Sequence, residues 1–460
     1  MALSVFPQTT SEEEGMTADS NLPTVSVIIP THNRSTSLRR TLDALCVQTY
    51  PHPLLEVLVV TDGCSDDTVD MLQRYPAPFA LRVIVLKGQN QGPAMARNRG
   101  AASATGKLLL FLDDDVEPKP PLIMAHVHAH DQQPCLVVMG PYVPVLQGRV
   151  DCLRRLMRTW WQDKFHTMRQ PGYRFGYWDL LSGNLSLEAE VFDRVGGFDP
   201  TFPCAHEDYE LGARLIKAGA SLILAPDALA FHYVHENTEL NRALQRARLE
   251  GRADVLIGRR HFDLRPTLPL VRLQKPFGVL QRIVHALGYE HRVLGDRLAS
   301  LGGWILGPLE KIRFRNLWRR VYRGLRYYWY LRGVAEELGS RRALVEFLQA
   351  GPHRSDQAGL EIELDLAEGL EETERRLDQE RPCGARIRYK EHVVGRIPPS
   401  VGAERLRGAH LRPILATELA WPFLMGLAME GALGKSHNFH SKLPHDSGED
   451  LRAIHANESR

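Results

Sequence analysis

Apolar and polar positions follow two different periods along this chain. Between residues 23 and 145, short runs of Val, Ile and Leu recur: "VSVIIPT" (25–31), "LEVLVVTDG" (55–63), "LRVIVLKG" (81–88), "KLLLFLDDD" (107–115) and "CLVVMGPYVPV" (135–145). Near-continuous apolar runs of this length suit strands covered on both faces, the mark of a mostly parallel sheet. Helical periods fill the gaps at 36–47, 66–74, 93–103 and 120–131, so the pattern predicts right-handed βαβ units. Every strand ends in polar punctuation. In an open α/β sheet those ends share one edge, where ligands bind.

After residue 150 the pattern changes. An aromatic, basic helix ("LRRLMRTWWQDKFHTMR") precedes "SGNLSLEAEVFDRVGGFDPTF", a helix opening at "HEDYELGARLIKAG", and two short strands ending in "AFHYVH". Residues 240–350 read as helical and basic. From 360 come a strand ("LEIELDL"), an acidic helix at 367–380, a strand-turn-strand ("ARIRYKEHVVGRIP") and an apolar helix ("HLRPILATELAWPFLMGLAM"). The expected organisation is a disordered tail at 1–22, an α/β domain at 23–240, a basic helical region at 241–350, a small α+β accessory unit at 351–433 and a second polar tail at 434–460.

Composition narrows the class. With 57 Lys and Arg against 55 Asp and Glu the net charge is +2, so no global attraction to a polyanion is implied. The six cysteines are scattered without a Cys-x-x-Cys pair, which suits free thiols in a reducing compartment and argues against disulfides or structural zinc. The start lacks a basic segment followed by an apolar core, and no apolar run reaches about 18 residues. A soluble cytoplasmic protein is expected.

The chemistry gathers at the strand ends. "LLLFLDDDVEP" closes a buried strand with Asp113, Asp114 and Asp115. Adjacent carboxylates raise one another's pKa unless something positive neutralises them; a metal ion, a cluster of arginines or open water could serve. "PTHNRS" leaves the first strand with Pro30, Thr31 and Arg34 and opens a helix whose free N–H groups favour an anion. Asp62 ends the second strand, where a carboxylate can accept from a base or ribose, or simply make an Asp-Gly turn. Arg97 and Arg99 lie one turn into the next helix. Hard carboxylate oxygens suit Mg²⁺ or Mn²⁺ together with substrate phosphates. His126, His128 and His130 point in different directions on a helix and are expected at the surface.

The string "VSVIIPTHNR … VVTDGCSDDT … NQGPAMARNRGAA … LLFLDDDVEP … GNLSLEAEVFDRVGGFD … HEDYELGARL" resembles a family 2 glycosyltransferase of the GT-A fold over residues 24 to about 240. That resemblance implies metal-assisted transfer of a sugar from a nucleotide-diphosphate donor, usually with inversion. By position it implies Asp115 as main metal ligand, with Asp113 and Asp114 on ribose or sharing the metal. It implies Asp62, Pro30 and Thr31 around the base, and Arg34 and Arg97 near the nucleotide. It makes Asp208 the general base, with Glu207 orienting it or binding acceptor, and Gly183 and Asn184 an acceptor-side loop. His232 would bind metal or diphosphate; His235 is a weaker choice. Thr61 replaces an acid often present in the second motif. Leu249 stands where processive synthases carry Trp, so a single-sugar transferase fits better than a polymerase. A catalytically silent nucleotide-sugar binding protein and a nucleotidyltransferase are the rivals, although "PTHNRSTS" lacks the glycines that would cradle a triphosphate.

Residues 311–332 carry eight Lys and Arg, seven aromatics and no acid. As a helix this stretch is expected to lie on an anionic membrane surface, consistent with a lipid-linked or saccharide acceptor. The alternative packs its rings on the catalytic domain and leaves the arginines in water. No recognised nucleic-acid module accompanies it.

Overall fold

The computed structural model describes residues 22–432 apart from 89, 132–134, 147–149, 203, 234–238, 276–277 and 351–360. Both expected tails, apart from Leu22, and His235 therefore lie outside the described residues. Up to Tyr233 the strands are β1 (Val25–Thr31), β2 (Leu55–Asp62), β3 (Ala80–Leu86), β4 (Leu108–Leu112), β5 (Val116–Pro118), β6 (Leu136–Met139), β7 (Tyr142–Val145), β8 (Asn184–Glu188), β9 (Ser221–Leu224) and β10 (Ala230–Tyr233). The central sheet has the order β3-β2-β1-β4-β8-β6-β9. β1 to β4 are mutually parallel, and β8 alone runs against both its neighbours. This is the mixed α/β class with a mainly parallel sheet that the apolar runs predicted.

The helices of this half are α1 (Ser35–Cys46), α2 (Thr68–Gln73), α3 (Pro93–Ala101), α4 (Leu122–His130), α5 (Cys152–Met168), α6 (Ala189–Arg194) and α7 (Glu207–Lys217). They follow the predicted spans within a few residues. β1, β2 and β4 are buried almost throughout, because helices cover both faces; burying each Leu, Ile or Phe there contributes roughly 1.5–3 kcal/mol. β3 departs from the expectation. As the sheet's edge it is half exposed, with Val85 56% accessible.

The predicted strand 135–145 is two strands in two sheets. The chain breaks at Gly140, where a Cβ would sit 2.1 Å from both Ala228 O and Asn184 Nδ2. β6 stays in the central sheet, while β7 joins β10 and β5 in a small three-stranded sheet. The Asp113–Asp115 segment is the hinge between β4 in one sheet and β5 in the other.

The basic region forms α8 (Leu240–Arg260), α9 (Gly278–Tyr289), α10 (Arg292–Lys311), α11 (Arg315–Leu338) and α12 (Arg341–Gln349). Residues 311–332 are not one helix, since the chain turns through Arg313 at φ 58° before α11 begins. The rings of Trp318, Tyr322 and Tyr328 are buried against Leu306 and Leu309 of α10. The aromatic face is thus internal and the arginines other than buried Arg332 stay at the surface, which corrects the expectation that those rings meet a membrane. No helix of the described residues is long and apolar enough to cross one.

The remaining unit holds β11 (Glu361–Asp365), α13 (Leu370–Glu380), β12 (Gly384–Tyr389), β13 (His392–Ile397), α14 (Gly408–Ala416) and α15 (Ala420–Met429) around its own apolar cluster. The predicted single apolar helix is interrupted between α14 and α15. The acidic α13 pairs with α14 through Glu374 and Arg412, 2.7 Å apart, and not with the basic stretch. Glu404 takes Leu222 N at 3.2 Å and Arg407 donates to Leu222 O at 3.2 Å. These side chains occupy both backbone groups of Leu222 on the free edge of β9, an edge that would otherwise invite strand pairing.

Candidate active site

The parallel strands deliver their polar ends to one edge, as the topology requires. There the acidic triplet is neutralised from within the fold. Arg34 Nη1 lies 2.9 Å from Asp114 Oδ1 and 2.9 Å from Asp115 Oδ2. Thr31 Oγ1 donates to Asp114 Oδ2 at 2.7 Å. Arg97 Nη2 donates to Asp113 Oδ1 at 2.8 Å. Of the three neutralising agents that the sequence left open, arginine is built into the fold. Asp114 remains strained electrostatically: burial, and then the charges of Asp115 and Asp113, raise its pKa to about 6 against the pull of Arg34.

Arg97 also donates through Nη1 to Glu207 Oε1, 3.2 Å away at the start of α7. Its guanidinium lies over the Phe198 ring at 5.3 Å. That ring is placed by Asn98, whose amide takes Phe198 N at 2.8 Å and donates to Phe198 O at 2.7 Å. The "VGGFD" segment is thereby clasped to α3, with Gly197 at φ 67° in the turn. Phe198 meets Phe111 of β4 edge-on at 5.3 Å. The motif's function is to floor Arg97, a role its sequence did not disclose.

Asp208 is partly exposed at the first turn of α7. Burial, then the neighbouring Glu207 charge, raise its pKa to about 6. His206, just before it, adopts φ 58° and stacks on Tyr209 at 4.4 Å. Its Nδ1 lies 2.8 Å from Asp254 Oδ1, and Tyr330 donates to the other oxygen. Asp254 and Tyr330 come from α8 and α11. The helical region thus buttresses the loop that presents Glu207 and Asp208. Sequence reasoning missed this. The one available signal was a pair of acids one turn apart, Glu250 and Asp254, in a basic helix.

His232 Nε2 is 3.4 Å from Asp115 Oδ2. Burial opposes its protonation, yet Asp115 and Asp113 hold its pKa above the usual value. Its Nδ1 is buried without a hydrogen-bond partner. Gly183 touches the acidic cluster closely. A Cβ there would lie 2.7 Å from Asp113 Oδ2 and 2.9 Å from the Tyr142 hydroxyl. Tyr142, overlooked in the sequence, faces His232 at 6.0 Å between ring centres.

Two expectations change. Asn184 is fully buried in β8, with Oδ1 bonded to His126 Nε2 at 2.9 Å and Nδ2 donating to Ala228 O at 2.8 Å. Both ends of the amide are engaged inside the fold and the residue is fully buried, which points to a scaffold role. Likewise His126 and His130 are not surface residues: both bond Ser186 Oγ at 2.8 Å, and burial lowers their pKa values to about 4 and about 3. Only His128 is exposed. Asp62 is buried too, its carboxylate accepting Gln91 N at 2.8 Å and Gly92 N at 2.7 Å, which anchors the entry to α3. Pro30 stands beside it at the end of β1, paired in register with Val60.

A mostly parallel α/β sheet with acids and arginines converging at its carboxyl edge defines the class: an α/β scaffold with a polar ligand site at that edge. Residues 26–196 match the model of glycosyl transferase family 2, and residues 163–237 that of the N-terminal domain of galactosyltransferase. The likeness to family 2 glycosyltransferases thus lies in the α/β half of the chain. It is 33% identical over 248 residues to validoxylamine A glucosyltransferase of Streptomyces hygroscopicus subsp. jinggangensis, covering 48% of this chain and 58% of that one. Glycosyltransferase AglE of Haloferax volcanii is 29% identical over 215 residues, covering 46% and 68%. The chain thus spans little more than half the length of the first of these relatives. Among solved structures, the mannosyltransferase PcManGT from Pyrobaculum calidifontis, in complex with GDP-Man and Mn²⁺, aligns with TM-score 0.45 at 18% identity over 69% of this chain and 88% of that one.

Proposed function

We propose that the protein is an inverting glycosyltransferase that moves a single sugar from a nucleotide-diphosphate donor to a hydroxyl of a saccharide or lipid-linked acceptor. The observation that carries this reading is the Arg97 bridge, which joins the acidic end of β4 to the acids opening α7. Donor and base would then sit on either side of one guanidinium. Pro30, Thr31 and Asp62 would line the base pocket, Asp113 and Asp114 the ribose, and Gly183 the floor under the sugar. Arg34 and Arg97 would face the nucleotide's negative charge.

Asp208 serves as general base. A carboxylate with a pKa of about 6 is mostly ionised at neutral pH yet more basic than an ordinary aspartate, which is where general-base efficiency is greatest. As the acceptor oxygen bonds to the anomeric carbon, its proton passes to Asp208 and the diphosphate departs from the opposite face with the bonding pair. Glu207, held by Arg97, fixes the start of α7.

A divalent Mg²⁺ or Mn²⁺ ion fits the donor set at Asp115 and His232, a hard oxygen beside an imidazole nitrogen with a buried, unsatisfied partner atom. Among the described residues no group of three His, Cys, Asp or Glu is arranged as a full cage, and such ions commonly take one or two protein ligands plus substrate phosphates. When bound, the ion would offset charge on the leaving diphosphate.

Residues 23–240 would form the catalytic domain, 241–350 its helical buttress and 351–433 an accessory unit. Six free thiols agree with a cytoplasmic setting. The test is a panel of nucleotide-diphosphate sugars with and without Mn²⁺, read by thermal shift, because a ligand raises the melting temperature by mass action. Metal-dependent stabilisation by one donor is expected; stabilisation by none overturns the reading.

A further inference from the structure

α10 has two apolar faces, and only one is covered. Gly295, Ala299, Gly302, Leu306 and Leu309 recur at i, i+4, i+7, i+11 and i+14 and face α11. A Cβ on Gly295 would come within 2.3 Å of the Tyr328 hydroxyl, and Ala299, Leu306 and Leu309 are buried. The flank about 100° round the helix presents Leu294, Leu298, Leu301, Trp304 and Ile305 to solvent, with Leu301 62% and Trp304 81% exposed. The neighbouring α9 extends it with Val279, Leu280 and Ile283, Leu280 being 75% exposed. At the turn after α10, exposed Ile312 and Phe314 alternate with exposed Lys311, Arg313 and Arg315. An apolar helix normally buries its whole girth, and contiguous exposed apolar surface marks a contact site.

Charge identifies the occupant. Residues 272–326 hold twelve Lys and Arg against three acids. Of those acids, Asp296 is bound by Arg332 and Tyr328, and Glu310 accepts the Cys152 amide. What remains is an apolar stripe with Arg297 beside it, followed in the chain by exposed arginines such as Arg319 and Arg323 on α11. A second copy of the chain fits poorly, since an isologous contact would bring the two arginine margins face to face. A bilayer of anionic lipids fits both parts: acyl chains receive the Trp and Leu side chains, and the headgroup charge attracts each nearby Lys or Arg.

We infer that the exposed face of α9 and α10, with the arginines of the following turn and α11, docks the protein onto an anionic phospholipid surface. The inward aromatic face of α11 is the support for this element and not the contact. The inference stands apart from the transfer chemistry, because no active-site residue takes part.

The experiment is flotation of the full-length protein with phosphatidylcholine vesicles, with and without phosphatidylglycerol, in the absence of any sugar donor. Binding is expected to the anionic vesicles and to weaken with salt. The double substitution Leu301→Glu, Trp304→Glu should weaken partitioning at least tenfold with an unchanged circular dichroism spectrum, and Arg313→Glu, Arg315→Glu should remove the preference for anionic lipid. Absence of flotation overturns the inference. So does equal binding by the Leu301/Trp304 variant, or a wild-type dimer in light scattering that this variant dissociates.

Discussion

Arg97 holds Asp113 and Glu207 with one guanidinium, Nη2 2.8 Å from the first and Nη1 3.2 Å from the second. These partners are 16 and 110 residues away in sequence, and the buried bridge couples the end of β4 to the start of α7. Arg97→Met leaves two carboxylates facing each other without their cation. Removing one partner of a buried pair costs about 3–5 kcal/mol; the lower end applies, because the Asp113 side chain is 34% exposed. Urea unfolding should show this loss. Arg97→Lys, retaining charge but not the fork, should recover part of the stability and little transfer.

Asp208→Asn separates chemistry from folding. General-base catalysis contributes typically 10²–10⁴-fold, so transfer should fall by about that factor while donor affinity in titration calorimetry stays within about twofold. Stability should hold or rise. The folded-state pKa of about 6 lies above the ordinary carboxylate value of 3.8, so ionisation is disfavoured by the fold at pH 7 and that handicap disappears below about pH 4. Full transfer activity in the variant would remove Asp208 from the mechanism.

The pH profile follows from the same shift. As a base Asp208 works deprotonated, so kcat/KM should decline as pH drops through about 6. Asp114 titrates in the same range, and Asp208→Asn distinguishes them: a residual acid limb in the variant assigns that limb to Asp114. A wild-type profile flat between pH 5 and 7 would contradict the base assignment, since the limb belongs at about 6.

Gly183→Ala is the sharpest steric probe of the donor side. The new methyl would meet Asp113 Oδ2 at 2.7 Å and the Tyr142 hydroxyl at 2.9 Å, so Asp113 must swing off its Arg97 contact. Donor binding should weaken by roughly tenfold or more, about 1.4 kcal/mol, and the melting temperature should fall as well, because the Arg97 contact loosens and the buried Tyr142 ring must shift. Unaltered donor affinity would show that Asp113 has no part in binding it.

Asn184→Asp tests scaffold against acceptor contact. The substitution removes the donor to Ala228 O and buries a carboxylate beside His126. An unsatisfied buried group costs about 1–3 kcal/mol, so the urea midpoint should fall at constant m. Acceptor KM per folded molecule should stay unchanged.

Much of the site was readable from one strand pattern. The apolar runs at 25–31, 55–63 and 107–115 put Thr31, Asp62 and Asp113–Asp115 on one edge, because parallel strands must end together. The roles were less readable. Asp62 resembled a base-reading carboxylate, and nothing in the strand announced that it also anchors the Gln91 and Gly92 amides. That Arg34, expected near the nucleotide, also spans two acids of its own chain was not legible either. His126 sat in a run of alternating histidines, and nothing local announced that Ser186 and Asn184, some sixty residues on, would bury and neutralise it.

Local periodicity was enough to determine the α/β class, the order of its elements and the residue types at the sheet's carboxyl edge, since burial on both faces demands such runs wherever they occur. Partner choice was settled by packing alone: which cation meets which acid, that His206 leans on Asp254 and Tyr330, and that the rings of α11 turn inward while the outer face of α10 stays bare. Such pairings depend on distances between segments far apart in the chain, and a hydrogen bond or ion pair changes its worth steeply over the few ångströms that only the folded arrangement sets.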